Sequence, residues 1–315
     1  MKAIVLTRDG DNPGKLQPEE LPIPAIGENE VLIRVHAIDI NPVDNKTLEG
    51  KGQFSNIKQD DPIILGWDAS GVVEGVGSAV SQFKKGDAVF GLINFPGHGR
   101  AYAEYVAAPA SQLALKPGNV DDETAVATTL SALMAYQAIR EADVKQGERV
   151  LIQGVAGGVG FFALRIAKSL GAYVIGTAMA REEKFLKEQG LDEFINFQTT
   201  DFEKATRDLD FVFDTLGGES VIKAFNVLKP SGRLITIPSG VGDEWKPVAA
   251  RLGINAKFLF VHSSGADMQA VAGLLEKGVI RPNIAHRFRM EDIPRIHELM
   301  SAGKIVGKIV VTFRD

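Results

Sequence analysis

The run "GVAGGVG", residues 154 to 160, sets four glycines between the strand-like "ERVLIQ" and the helix-like "FFALRIAKSLG". A strand that turns on glycine into a helix is the context a dinucleotide fingerprint requires. Gly157 lets the backbone approach a pyrophosphate, and Gly160 lets the helix pack closely on the strand. Gly158 and Val159 stand at the helix start, where free N–H groups and the positive dipole end face phosphate oxygens. Val155 occupies the first glycine position of G-x-G-x-x-G, so the pattern alone is weak. The flanking strand and helix, and the strand–helix units that follow, make a nucleotide site the better reading than a tight turn.

The end of the next strand selects the cofactor. A carboxylate there accepts hydrogen bonds from the adenosine ribose and favours NAD. Here "IGTAMAREEKF" puts Thr177 at that place and has no carboxylate before Glu182. Arg181 and Lys184 can pair with a 2′-phosphate, and the blander alternative is that both are solvated charges at a helix start. A charge-assisted hydrogen bond contributes roughly 1.5–3 kcal/mol, so one arginine favours NADPH by about ten- to a hundredfold. NADPH is the expected cofactor.

Other chemistries are narrowed by what the 315 residues lack. There is no cysteine, so disulfides, thiolate nucleophiles and cysteine-bound zinc are excluded. The five histidines are scattered without H-E-x-x-H spacing, and no G-x-S-x-G elbow occurs. A formal net charge of -5 argues against a nucleic-acid partner. No apolar run reaches membrane-spanning length, and the N-terminal apolar patch is too short for a signal peptide. The expectation is a cytoplasmic protein with neither nucleic-acid nor membrane partner. In "GWDASGVVEGVG", residues 66 to 77, Trp67 offers no lone pair to a metal. Asp68 beside it reads as a turn or packing residue with a satisfied carboxylate.

Two textures must carry these groups. Up to about residue 118, short alternating runs such as "EVLIRVHAI" and "DAVFGLI" are broken by Pro and Gly, which suggests an antiparallel, barrel-like β domain. From "DDETAVATTLSALMAYQAIREADV" onward, with Asp121 or Asp122 as the helix cap, strand and helix patterns alternate, which calls for a parallel sheet covered on both faces. The closing strand-like run can rejoin the first domain.

Taken together, "INPVD" at 40 to 44, "GWDASGVVEGVG", "FKKGDAVFG", "AYAEYV", "GVAGGVG", "FDTLGG" and "GKIVGKIVV" make the whole chain resemble a medium-chain dehydrogenase/reductase of the zinc-independent, quinone oxidoreductase-like branch. The resemblance implies an α/β fold: a GroES-like β-barrel domain, 1–119 completed by 266–315, and a Rossmann doubly wound parallel-sheet domain, 120–265. It implies NADPH-dependent, metal-free hydride transfer to a small-molecule quinone or α,β-unsaturated carbonyl compound (an enone). A homodimer is implied as well, and a non-catalytic NADPH-binding sensor or scaffold of the same fold is the alternative. Trp67 and Asp68 fall where zinc-dependent relatives carry the His and Glu of G-H-E-x-x-G-x-V. Asn41 falls at the place of a zinc ligand, from which its amide can donate to the acceptor oxygen; equally, it can cap the turn before Pro42. Tyr102 can donate a hydrogen bond or proton, against a packing role on a strand. Asp44 reads as a residue that orders the turn, and His98 as a surface histidine. Gly217, Pro238, Ser239 and Phe260 are carried over as contacts to the ribose and nicotinamide. Met134 replaces a threonine of the family pattern, leaving Thr128, Thr129 or Ser131 to compensate.

Overall fold

The computed structural model describes residues 1–237, 242–304 and 307–313. It divides into two compact units, Met1–Leu133 with Val261–Asp315, and Met134–Phe260.

The first unit opens with strands β1 (Lys2–Asp9), β2 (Asn12–Glu20) and β3 (Glu30–Ile40), then helices α1 (Pro42–Leu48) and α2 (Phe54–Ile57). Strands β4 (Ile63–Ile64), β5 (Asp68–Val76), β6 (Ala88–Leu92), β7 (Tyr105–Pro109) and β8 (Leu113–Leu115) lead into helix α3 (Asp122–Glu141). The second unit alternates β9 (Arg149–Gln153), α4 (Gly158–Ser169), β10 (Tyr173–Ala178), α5 (Glu183–Glu188), β11 (Glu193–Asn196), α6 (Phe202–Ala205) and β12 (Leu209–Asp214). It ends with α7 (Glu219–Ala224), β13 (Leu228–Thr236), α8 (Trp245–Leu252) and β14 (Asn255–Phe258). Helix α9 (Gly265–Glu276), strand β15 (Ile284–Arg289), helix α10 (Ile293–Ser301) and strand β16 (Lys308–Thr312) return to the first unit.

In the first unit the order β15-β16-β3-β5-β6-β8, with β7 also paired to β3, makes the larger sheet, and β2-β1-β4 the smaller. Alternation along β3 sends Val31, Ile33 and Val35 into a core shared with Leu6, Val73 and Val89, as a one-sided sheet requires. The closing run does rejoin this domain: β16 pairs antiparallel with β3, placing Val310 opposite Asp39.

The second unit is a six-stranded parallel sheet ordered β11-β10-β9-β12-β13-β14. Its central strands are apolar on both faces, with Leu151, Ile175, Val212 and Leu234 in one core under the helices. Strand order reverses between β9 and β12, and ligands of such sheets bind beyond the carboxyl ends at that switch.

The division falls within α3 and after Phe260, later than 119 at the first boundary and earlier than 265 at the second. The start of α3 is tied to the first unit: Val126 and Ala127 pack with Ala37 and Val310. Asp121 caps the helix by accepting the Thr124 N–H, which leaves Asp122 to accept from Ser70 and to pair with His36. Residues after Phe260 turn to the same unit through three Ser263–Phe95 hydrogen bonds.

Candidate functional site

At the switch in the second unit, Gly154 takes a left-handed φ of +72°, so the tight turn falls one residue before the position that Val155 holds. Val155 is wholly buried and fills the space over Gly176. A Cβ on Gly160 would overlap the Gly154 carbonyl, and one on Gly157 would lie 3.2 Å from the same oxygen. Gly157 is the N-cap of α4 and Phe161 is the first residue bonded back to it, so the N–H groups of Gly158, Val159 and Gly160 lie beyond the reach of the helix ladder. Gly157 and Gly158 are exposed. These residues fit a pyrophosphate: free donors, a dipole end and no side chain in the way.

The neighbouring strand ends brace this turn. Thr177 is buried and its hydroxyl accepts the Gly154 N–H at 3.1 Å, so it holds the loop rather than facing outward. Thr215 donates to the Gln153 carbonyl. Asp214, wholly buried, accepts from Leu216 and Gly217 N–H groups and from the Ser220 and Thr236 hydroxyls, fixing the loop that carries Gly217. Gly217 has φ +76°. Arg181 and Lys184 are exposed just past β10, the Arg181 side chain at 73%, and Arg181 Nε lies 3.9 Å from Glu182 Oε1. The other Glu182 oxygen accepts the Met179 N–H. Phe260 stacks on Phe258 at 6.2 Å. Pro238 and Ser239 lie outside the described residues.

The first unit holds a buried polar network that the sequence reading largely missed. Neighbouring strands β16, β3 and β5 bring Lys308, Asp39 and Asp68 together; the start of α1 adds its N-cap residue Asn41 and Asp44, and α3 adds Ser131. None is more than 8% exposed. Lys308 Nζ donates to Asp39 Oδ2, to Asn41 Oδ1 (3.2 Å) and to Ser131 Oγ (3.1 Å). Asn41 Nδ2 donates to Asp68 Oδ2 at 2.7 Å and is 3.5 Å from the Asp39 carbonyl. The cation can face only the amide oxygen and the carboxylate accepts from the amide nitrogen, so the orientation of Asn41 is set by its partners.

Asn41 is the N-cap residue of α1, but its side chain does not cap; Asp44 accepts the Asn41 backbone N–H at 2.8 Å and so orders the turn. Tyr102 precedes β7 rather than lying on a strand and is wholly buried, its hydroxyl 3.2 Å from His297 Nε2. The network therefore joins Asn41 to Asp44, whose carboxyl neighbours Tyr102. Burial pushes the Tyr102 hydroxyl well above its ordinary range, with the Asp44 charge adding to it. Burial likewise raises Asp39 to about 6 against the pull of Lys308, and Asp44 to about 7 against the Asn41 N–H. Asp68 is raised well above the carboxylate range by burial and by Asp39.

Two readings need correction. Asp68 is not satisfied: its Oδ1 is buried with no hydrogen-bond partner among the described residues. His98 is not a surface histidine: its ring is 8% exposed, bonded to the Ile64 backbone and set against Asp60 and Arg100. Burial, with the Arg100 charge, lowers it to about 4. Thr128 and Thr129 bond back along α3, and Ser131 takes Lys308. Trp67 is buried with its N–H donated to the Gly97 carbonyl. Among the described residues, no three His, Cys, Asp or Glu side chains are grouped to hold a metal ion.

Asp39 and Lys308 carried a faint sequence signal, Asp39 as a charge between two isoleucines of β3 and Lys308 as a charge at the head of the apolar run of β16. Their union is a matter of strand order, which local pattern does not reveal.

Comparison with known proteins agrees with this architecture. Residues 27–118 match the alcohol dehydrogenase GroES-like domain and residues 189–311 a zinc-binding dehydrogenase domain. A quinone oxidoreductase of Sus scrofa is 31% identical over 94% of this chain and 93% of its own length. A 2-methylene-furan-3-one reductase of Solanum lycopersicum is 30% identical, covering 92% of this chain and 73% of its own. The solved quinone oxidoreductase of Coxiella burnetii superposes with a TM-score of 0.91 at 34% identity, covering 100% of this chain and 99% of that one. The chain belongs to the zinc-independent, quinone oxidoreductase-like family of medium-chain dehydrogenases/reductases, with a GroES-like domain and a Rossmann domain. It is an oxidoreductase of a family that binds NAD(P) and acts on small molecules. No helix among the described residues is long and apolar enough to cross a membrane.

Proposed function

We propose that this protein reduces a quinone or an α,β-unsaturated carbonyl compound with NADPH as hydride donor and without a catalytic metal. The observation that carries the reading is the phosphate cradle after β9. The N–H groups of Gly158, Val159 and Gly160 lie at the switch point, and Arg181 and Lys184 are exposed just past β10, where a 2′-phosphate would arrive. Glu182 is engaged by the Met179 N–H, which removes part of its opposition to a phosphate.

When bound, the dihydronicotinamide supplies a hydride from C4. The α4 N-terminus would hold the pyrophosphate, and Gly217 and Phe260 are the described residues that would meet the ribose and ring. An enone or quinone takes hydride without a Lewis acid because the negative charge spreads onto an oxygen that hydrogen-bond donors can hold. The Asn41 amide, whose second N–H has, among the described residues, the long 3.5 Å contact to the Asp39 carbonyl, is the donor assigned to that oxygen. Tyr102, buried against His297, shapes the network rather than meeting substrate. The exposed edge strand β14, with Phe258 43% exposed, suits pairing with a second copy.

Initial rates of NADPH and NADH oxidation with one ortho-quinone and one short enone test the reading. NADPH-selective turnover of either supports it. Tight NADPH binding with neither acceptor consumed would replace it with a sensor or scaffold role.

A further inference from the structure

A cavity of about 670 Å³ opens in the first unit, against strand β7, the chain after β2 and the loop that joins β6 to β7. Among the described residues its lining runs from Met1 to Gln112, so the first unit forms it alone. Asp39, Asn41, Asp68 and Lys308 take no part in the lining. The volume falls within the ~300–1,000 Å³ of ordinary small-molecule sites. Pro22 and Pro96 line it and are exposed, so it is open to solvent.

The loop that forms one wall is held in shape by the rest of the unit. Asn94 and Arg100 take left-handed φ values of +52° and +62°, a conformation that costs free energy at an arginine. Three hydrogen bonds pin the loop between and around them. Asn94 N–H donates to Gln112 Oε1 at 2.7 Å, Phe95 N–H to Ser263 Oγ at 2.8 Å, and Trp67 Nε1–H to the Gly97 carbonyl at 2.7 Å. Backbone strain held in place this way concentrates at ligand sites.

The lining selects the ligand. Pro22, Pro24, Pro96 and the half-buried Tyr105 ring offer flat apolar faces, which suit an aromatic ring. The Gln112 amide oxygen is taken by the Asn94 N–H, which leaves the amide nitrogen to donate to a ligand. Arg100 Nε–H donates to His98 Nδ1 at 3.0 Å and so orients the guanidinium. Its Nη2 lies 3.9 Å from Asp60 Oδ1, beyond hydrogen-bond length. A carboxylate seated on both Nη groups makes the short paired bonds that Asp60 does not. Glu30 is the acid on the lining among the described residues, and its Oε2 already accepts the Gly27 N–H.

We propose that this cavity is a binding site for an aromatic monocarboxylate, with the ring against the proline and tyrosine faces and the carboxylate on Arg100. Binding there is non-covalent, and the inference stands apart from the hydride-transfer reading above.

Isothermal titration of the full chain with 2-naphthoate, with and without NADPH, tests the site, and neutral 2-naphthamide is the control. 2-Naphthoate is expected to bind one equivalent per chain, about tenfold or more tighter than the amide, with an affinity that NADPH leaves within twofold. Arg100→Gln keeps a non-glycine residue at the left-handed position and removes the charge. It should weaken 2-naphthoate by about ten- to a hundredfold and leave the amide within twofold. Ala107→Phe, which fills the cavity from β7, should abolish binding of both. If that variant does not fold, Arg100→Gln decides alone, since its side chain is 48% exposed. A wild-type dissociation constant above about 1 mM overturns the proposal. So does displacement of 2-naphthoate by NADPH, equal affinity for acid and amide, or an Arg100→Gln protein that binds the acid as wild type does.

Discussion

At the scale of single residues, Arg181 decides between two cofactors. It is exposed, and among the described residues its ion-pair approach is to Glu182 at 3.9 Å, so its charge is available to a 2′-phosphate. Arg181→Ala is expected to weaken NADPH binding by about ten- to a hundredfold and to leave NADH binding unchanged. Fluorescence titration with each cofactor checks this, and equal losses for both would remove the phosphate role. Asp44 makes a second test. Its carboxyl rises from 3.8 to about 7, so the folded protein binds the proton more tightly than the unfolded chain. The stability it contributes is full below about pH 4 and is lost as pH rises through about 7. His297, lowered to about 4, has the opposite slope, its contribution being lost as pH falls from 6.5 through 4. The two oppose each other in wild type, and a variant separates them. Asp44→Asn is expected to gain stability relative to wild type between pH 5 and pH 8, measured by urea denaturation. A constant difference across that range would mean that Asp44 is ionised in the folded state.

At the scale of elements, strand β16 matters for more than the sheet it closes. Lys308 is its first residue and bridges Asp39 on β3, Asn41 before α1 and Ser131 on α3. Lys308→Met keeps the length of the side chain and strands the carboxylates. Removing one partner of a buried ion pair costs about 3–5 kcal/mol, and the loss should be larger at pH 8 than at pH 5, where the carboxyls are more readily neutral. Denaturation at the two pH values reads this, and equal losses would show that Lys308 acts only through packing. The loop after β12 depends in the same way on Asp214. Its four hydrogen bonds come from two backbone N–H groups and two hydroxyls, so Asp214→Ala should loosen the Gly217 loop and weaken cofactor binding.

At the scale of the whole molecule, both domains were legible because their signals are local. Period-2 runs between Pro and Gly announced the β domain, and alternating strand and helix patterns announced the parallel sheet. The phosphate cradle was legible for the same reason, since Gly154 to Gly160 lie on one turn between β9 and α4. Even there, the residue at the left-handed position is Gly154, which a motif aligned on Val155 passes over. The buried network was not legible. Asp39, Asp68, Ser131 and Lys308 meet because β16, β3 and β5 are adjacent, and no local period encodes that adjacency. Asp68 in "GWDASG" looked like a turn residue because its neighbours in sequence are not its partners in space. Edge strand β14 sets one prediction at this scale. The protein should sediment as a dimer, and Phe258→Glu should give a monomer; a wild-type monomer would remove the pairing through β14.

The most direct test of metal-free hydride transfer uses NADPH carrying deuterium at C4, a short enone and excess chelator. Deuterium recovered on the β-carbon of the product, at a rate unchanged by the chelator, is the expected result. Product without deuterium, or a rate abolished by chelation and restored by zinc, would contradict it.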